Sequence, residues 1–373
     1  MVETYSPSGK EDDLARLIVL EMEKLGFEVE RDAVGNVIGR IGKGTPRVLL
    51  CGHMDTVPIE LPVKVEEGNL HGRGAVDAKG PLATMIIVAS QFTDEGYEGS
   101  LIVVGAVDEE GKGLGVKQLV KGGMDVDYAI FGEPTDVDTI TIGYKGSLLL
   151  KITCETETGH SSAPWMFENS VEKAIEIWAL IKKHSIPKGR PESQFHSITS
   201  CIRRIEGGEI GSIVPPRCEI QIDIRIPPSQ TVTQLRNEIF ELIDDYRAQN
   251  PAVKVGAEVE DYSEPYVADR RSLLVRALSQ AIWKVRGARV KLVNKTGTGD
   301  MNVFGSSTRM PVVTYGPGDP HLDHTPYEHI NLKDYLESIR VLKEAIKRLH
   351  ELHHNARLNK PAKTRSFDGP GGI

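Results

Sequence analysis

Three short apolar runs set the terms on which this chain can fold: RVLLCG from Arg47, SLIVVGAV from Ser100 and DYAIFG from Asp127. Each has strand length and is rich in branched residues, and helical patterns such as GPLATMIIVASQF alternate with them. Strands alternating with helices argue for a parallel or mixed sheet flanked by helices. The runs also end on side chains that ligate metals. His53 and Asp55 follow the first, Asp108, Glu109 and Glu110 the second, and Glu133 the third. Asp77 lies in the loop GRGAVDAKG leading into a helix, and His324 follows a fourth run, PVVTY. In an open α/β sheet the carboxyl ends of the strands line one crevice. Residues far apart in the chain are therefore expected to meet at one sheet edge.

The pattern changes near Gly146. Strand LLLKITCE, helix ENSVEKAIEIWALIKKH, strands HSITSCIRRIEGG and RCEIQIDIRIPP, helix TVTQLRNEIFELIDDYRAQN and strand AVKVGAEVEDY follow in that order. This is β-α-β-β-α-β, the ferredoxin-like arrangement, and RCEIQIDIR alternates as a half-buried sheet requires. Near Glu264 the first pattern resumes, ending in a helix from about Leu332 to His353. The expected fold is α/β: a mixed-sheet domain from residues 1–145 and 265–356, interrupted by an α+β lid or dimerisation domain at 146–264. A length of 373 residues suits two cores better than one. Residues 357–373, rich in Asn, Pro, Lys and Gly, read as a disordered tail. At the other end, Ser8-Gly-Lys-Glu11 has capping-box spacing ahead of a helical stripe formed by Leu14, Leu17, Ile18, Met22 and Leu25.

Composition narrows the function classes. A net charge of −8 gives no global attraction for nucleic acid or anionic membrane. The start, Met1 to Lys10, is polar and has no leader pattern, and no apolar run approaches the ~20 residues of a spanning helix. Cys51, Cys154, Cys201 and Cys218 form no CxxC pair and read as buried, reduced thiols of a cytosolic protein. A disulfide among the last three stays open, because spacing alone does not settle pairing.

The convergent set of two histidines and several carboxylates suits zinc, which takes imidazole and carboxylate ligands in catalytic sites. The count allows one histidine and one terminal carboxylate for each of two ions, with an aspartate shared between them; such a pair can clamp both an attacking oxygen and a carbonyl. Singly, each residue has an ordinary reading: a histidine after a strand is usually structural, and Glu109-Glu110 alone would be solvated loop charge. The joint pattern carries the weight. GKGLG at Gly111 and GRGAVDAKG lack the GxxxxGK[ST] context of a phosphate loop, and no GxSxG elbow supports a serine triad.

Five motifs resemble the co-catalytic metallopeptidase family of aminoacylases, glutamate carboxypeptidases, acetylornithine deacetylase and succinyl-diaminopimelate desuccinylase. They are Gly52-His53-Met54-Asp55-Thr56-Val57-Pro58, the run Gly72 to Gly80, Asp108-Glu109-Glu110-Gly111, Gly132-Glu133-Pro134, and Asp323-His324-Thr325-Pro326-Tyr327-Glu328. The resemblance implies that His53 and Glu133 bind one Zn2+, Glu110 and His324 the other, and that Asp77 bridges them, with Co2+ as the alternative metal. It implies further that Asp55 hydrogen-bonds the His53 imidazole, which would fix its tautomer, and that Glu109 is the general base. His160, in Gly159-His160-Ser161-Ser162, would stabilise an oxyanion, arriving from the partner subunit of a homodimer. Arg225 would pair with a substrate carboxylate. Ser212, where relatives carry Asn, and Gly299, where many carry Ser, depart from the pattern on the substrate side.

Within the family, Tyr5 to Glu11, the GAVDAKGPL run, Thr141 to Gly146 and the closing LDHTP are most similar to the branch that releases lysine or ornithine from an amino-group carrier protein in lysine and arginine biosynthesis. An acidic carrier would favour a basic rim, which Lys182, Lys183, Lys188 and Arg190, or Arg203 and Arg204, could supply. Two rivals remain at this point: a small-molecule deacylase or dipeptidase with the same metals, and a non-catalytic metal-binding scaffold.

Overall fold

Helix α1 (Asp12–Lys24) buries Leu14, Ala15, Ile18 and Met22 along one stripe, as 3.6-residue periodicity requires. The structure, a computed structural model, describes residues 1–93, 96–185 and 193–358. After α1 come the hairpin β1 (Glu28–Arg31) and β2 (Val37–Gly42), then β3 (Arg47–His53). Strands β4 (Lys64–Glu66) and β5 (Asn69–His71) precede helix α2 (Lys79–Ser90). Strand β6 (Ser100–Ala106), helix α3 (Leu114–Lys121), and strands β7 (Tyr128–Gly132) and β8 (Thr139–Tyr144) follow. The next stretch is β9 (Gly146–Glu155), α4 (Ser170–His184), β10 (Thr199–Gly207), β11 (Arg217–Ile226), α5 (Val232–Gln249) and β12 (Lys254–Ser263). The chain closes with β13 (Tyr266–Val267), α6 (Leu273–Arg286), β14 (Lys291–Lys295), α7 (Asp300–Thr308), β15 (Val312–Thr314), β16 (His329–Asn331) and α8 (Leu332–Leu358).

The fold is mixed α/β. Its nine-stranded sheet runs β1-β2-β6-β3-β7-β15-β8-β13, with β14 paired to β8. The centre, β6-β3-β7-β15, is parallel, and β6 and β7 are buried at every position, as a sheet covered on both faces demands. A second sheet, β10-β11-β9-β12, is antiparallel throughout. Here Leu148, Leu150 and Ile152 of β9 and Ile220, Ile222 and Ile224 of β11 are fully buried in a core shared with α4 and α5, while their neighbours in sequence are half-exposed. Each of those buried side chains contributes about 2 kcal/mol. Asn169 caps α4 through the amide of Val171 at 3.0 Å, and Thr231 with Gln234 forms a capping box at the start of α5.

Several local expectations change. Ser8 and Glu11 do not cap α1, whose first residue follows Glu11 with no side-chain cap. Both are drawn instead to groups beside the site described below. Strand β8, with Gly143 and Tyr144 at its end, was not anticipated as a strand; it is buried along its whole length between β15 and β14. Helix α8 runs to Leu358, two residues into the expected tail, and 359–373 lie outside the described residues. Three thiols are buried as expected, but Cys201 is exposed, and all four are free. Among the described residues no helix is long and apolar enough to cross a membrane.

Candidate metal centre

The parallel centre of the large sheet delivers side chains to one edge because β3, β6 and β7 all end there. His53 is the last residue of β3 and is buried. Glu109 and Glu110 follow β6, and Glu133 follows β7. Asp77 enters from the loop between β5 and α2, and His324 from the loop between β15 and β16. His324 has φ 58°, a left-handed backbone that costs a non-glycine residue about 1–3 kcal/mol.

These side chains meet. His53 Nε2 lies 3.0 Å from Asp77 Oδ1 and 3.7 Å from Glu133 Oε1. His324 Nε2 lies 3.1 Å from Asp77 Oδ2 and 2.6 Å from Glu110 Oε1. Asp77 thus turns one oxygen towards each imidazole. Two groups result, His53-Asp77-Glu133 and Asp77-Glu110-His324, and within each the ligand atoms lie within 4.8 Å of one another.

A second layer holds the first in place. Asp55 meets the imidazole more closely with its main chain than with its carboxylate. Its main-chain oxygen sits 2.9 Å from His53 Nδ1, and the nearer carboxylate oxygen is 3.5 Å away. The carboxylate instead accepts the amides of Glu109 and Glu110, each at 3.0 Å, and the Ser8 hydroxyl at 2.7 Å. One fully buried acid therefore orients two candidate residues, Glu109 and Glu110, and its need for donors explains why Ser8 leaves the helix start. Glu11 accepts the amide of Asp108 at 3.1 Å. Glu328, quoted in the last motif but given no role from sequence, is almost completely buried. Its Oε1 accepts the amides of Val76 and Asp77 at 3.0 and 3.2 Å, and Arg73 Nη1 reaches its Oε2 at 2.6 Å. Removing one partner of such a buried pair costs about 3–5 kcal/mol.

The ionisable groups of the cluster shift one another strongly. Burial disfavours a charged His53, but Glu133, Asp55 and Asp77 outweigh it and hold the imidazole well above its ordinary pKa. Hydrogen bonds to Asp77 and Glu110 push His324 up to about 10. Asp77 is held well below the carboxylate range: burial opposes this, and the hydrogen bonds from His324 and His53 prevail. Burial raises Glu109 and Glu133 well above it. Asp77, Glu110 and Glu133 thus crowd two imidazoles, and in the absence of a cation the cluster avoids excess charge by holding protons on His53, His324, Glu109 and Glu133, protons that divalent cations would displace. Two sets of one imidazole and two carboxylates are a donor set that divalent zinc accepts, so the residues fit two cations.

The remaining expected residues come from the βαββαβ unit. Arg225, on β11, donates from Nη1 to Thr298 Oγ1 at 3.2 Å and from Nη2 to Asp223 at 2.8 Å. A Cβ built on the next residue, Gly299, would lie 3.6 Å from Glu109 Oε1, so Arg225 reaches the loop beside Glu109. His160 is exposed, and its Nδ1 accepts from the Ser162 amide and hydroxyl at 3.1 and 2.8 Å. It is not among the groups brought together at the sheet edge. Lys295 was missed from sequence; it donates to the carbonyl of Pro134 at 3.1 Å, beside Glu133.

Residues 49–348 match the family model described as peptidase family M20/M25/M40. A Pyrococcus furiosus protein, provisionally named a LysW-lysine/LysW-ornithine hydrolase, is 39% identical over 352 residues, covering 93% of this chain and 94% of that one. The LysW-lysine hydrolase of Deinococcus radiodurans is 31% identical over 350 residues, with 92% and 93% covered. Among solved structures, a Staphylococcus aureus tripeptidase superposes with a TM-score of 0.79 at 20% identity, covering 94% of this chain and 96% of that one. Human carnosine dipeptidase 1 gives 0.72 at 17% identity, covering 94% of each.

Proposed function

The chain belongs to peptidase family M20/M25/M40, and from that premise we propose that it is a two-metal amide hydrolase releasing lysine or ornithine from the terminal glutamate γ-carboxyl of an acidic amino-group carrier protein. The observation that carries the chemistry is the split carboxylate of Asp77, with one oxygen beside His53 and the other beside His324. The carrier specificity is supported by the hydrolase names of relatives that are 31–39% identical over more than nine-tenths of both chains.

His53 and Glu133 would hold one ion, Glu110 and His324 the other, with Asp77 placed between the two groups; zinc is the proposed metal and cobalt its alternative. When bound, the ions supply Lewis acidity, lowering the pKa of a water and polarising a carbonyl. The chain's own residues do the rest. Glu109, beside the ligand set at the end of β6, takes a proton from the attacking water at its ionised carboxylate and carries it to the leaving amine nitrogen. Asp55 keeps Glu109 and Glu110 in register through their amides. Arg225 grips the substrate carboxylate with its planar fork. His160 donates to the oxyanion and comes from a second copy, so the working form is a homodimer joined through residues 146–264, the lid and dimerisation domain of the proposed two-domain division. Free thiols throughout suit a reducing cytoplasm. The acidic carrier docks on the basic residues Lys182 and Lys183 at the end of α4, or on Arg203 and Arg204 of β10; Lys188 and Arg190, named with them from sequence, lie outside the described residues.

The test compares turnover of carrier-linked lysine and ornithine with that of free N-acetylornithine. A kcat/KM at least a hundredfold higher on the carrier-linked substrates supports the proposal. Preference for the acetyl compound would make the chain a small-molecule deacylase with the same centre, and no turnover of either would return the scaffold reading.

A further inference from the structure

The chain passes between its two larger sheets twice, from β8 to β9 at Tyr144–Gly146 and from β12 to β13 at Ser263–Tyr266. The two crossings run side by side. Tyr144 pairs with Tyr266 in one sheet and Ser147 with Ser263 in the other. Between them Gly146 lies so close to the return strand that a Cβ there would meet Ser263 O at 2.6 Å and Pro265 N at 2.8 Å. Carbonyls inside such a crossing have no ladder partner and need a donor from elsewhere.

That donor is Asn302, a fully buried residue in the first turn of α7. Its Nδ2 donates to Lys145 O at 2.9 Å and to Glu264 O at 3.0 Å, one carbonyl from each crossing. Its Oδ1 accepts the amide of Gly299 at 3.0 Å, and its own amide returns a bond to Gly299 O at 2.9 Å. Gly299 is the residue packed towards Glu109, and its neighbour Thr298 receives Arg225. Helix α7 is itself fixed to the large sheet, with Phe304 against Phe131 at a centroid distance of 5.6 Å and Gly305 beneath the Tyr266 ring. Every polar atom of the Asn302 side chain is therefore committed, two hydrogens to the hinge and one oxygen to the loop at the catalytic edge.

We propose that Asn302 is a positioning residue, which clamps both crossings and transmits the resulting orientation of the βαββαβ unit to the loop between Glu109 and Arg225. It touches no reacting atom. Its effect is to keep Arg225 and the general base at a working separation, so its loss is felt jointly in substrate binding and turnover and not in metal content. Lys145 supports the same arrangement from the other side: its Nζ donates to Ser197 O at 2.6 Å, Thr199 Oγ1 at 3.0 Å and Gln194 O at 3.2 Å, tying the first crossing to the segment before β10.

The kinetic arm of the test rests on the hydrolase reading above; the exchange arm does not. Asn302→Asp keeps an acceptor for Gly299 and removes both donors to the hinge, whereas Asn302→Ala removes all three bonds. Gly146→Ala disturbs the crossing without touching Asn302, and Leu278→Ala, in the core of α6, serves as a control for lost stability alone. The four proteins are assayed with two metals bound, well below their unfolding temperatures, and their amide exchange is followed by mass spectrometry. The expected result is a fall of at least thirtyfold in kcat/KM for Asn302→Asp and Gly146→Ala, with KM raised and kcat lowered. Metal stoichiometry should be unchanged, and exchange across 144–147 and 263–266 at least tenfold faster while β3 and β6 keep their protection. Leu278→Ala should stay within threefold of the parent. Unchanged exchange at both crossings in Asn302→Asp would overturn the proposal whatever the chain hydrolyses. So would a kcat/KM within threefold of the parent, or an equal loss in Leu278→Ala.

Discussion

The two sheets treat their polar residues in opposite ways. At the carboxyl edge of the nine-stranded sheet, carboxylates and imidazoles are pressed together, with only one another and their protons to offset burial. In and beside the four-stranded sheet the corresponding candidates have polar partners, His160 in Ser162 and Arg225 in Asp223 and, across to the loop before α7, Thr298. Titratable groups packed this closely are the donor set that divalent cations accept. Polar groups already partnered are held in place until something displaces those partners. The large sheet would hold the metals and the base, and the small one would complete the site.

That contrast can be broken at its strongest point first. Glu109→Gln should lower kcat by about 10²–10⁴ while the protein still binds two metals, read by steady-state kinetics beside elemental analysis. A variant retaining more than a tenth of the activity would remove the base from the large-sheet edge. His160→Ala should cost about 10²–10³ in kcat. If the residue acts across a dimer, mixing His160→Ala with Glu109→Gln subunits should restore part of the lost rate, since one hybrid site would carry both native residues. Absence of any recovery in a verified heterodimer would place His160 in its own subunit's site, or outside catalysis.

Glu328→Gln sharpens the comparison inside the large sheet. It should weaken metal binding by about 10–100-fold, because the amides of Val76 and Asp77 lose a charged acceptor; titration with a metal indicator reads this directly, and native affinity would show that Asp77 needs no such support. The smallest effect belongs to the hinge. Burial, aided by Arg225, lowers Lys145 to about 8. Between that value and the ordinary lysine pKa near 10.5 the unfolded chain binds more protons than the folded one, so the folded state gains stability as pH rises through the window. Below it the full penalty of a buried charge remains. Chemical unfolding at pH 7.5 and 9.5 should show the parent gaining on the order of 1 kcal/mol relative to Lys145→Met; a difference that is flat, or that shrinks, would mean the ammonium is not disfavoured there.

Sequence patterns carry these two regions unequally. The runs at Arg47, Ser100 and Asp127 read as buried strands because consecutive apolar residues admit few other fates. The histidine and acids just past them are the candidate ligands, and His53, Asp77, Glu110, Glu133 and His324 do lie together. The alternation in RCEIQIDIR likewise places Ile220, Ile222 and Ile224 inward. What could not be read was anything decided by tertiary partners. Ser8 and Glu11 have the spacing of a helix cap, yet Asp55 and the amide of Asp108 lie close enough to claim them. Glu328 looks like loop charge until Asp77 folds against it. Strand β8 is a strand through its neighbours β14 and β15, its own sequence being interrupted by Gly143. Asn302, an ordinary polar residue in a helical stretch, has a role only once two distant crossings meet beside it.

The central claim is that Asp77 is shared. Crystals grown with zinc and measured on both sides of its absorption edge should show two anomalous peaks about 3.5–4 Å apart, one beside His53 and Glu133, the other beside Glu110 and His324, with an Asp77 oxygen on each. A single peak at saturating zinc, or two peaks of which only one touches Asp77, would contradict it.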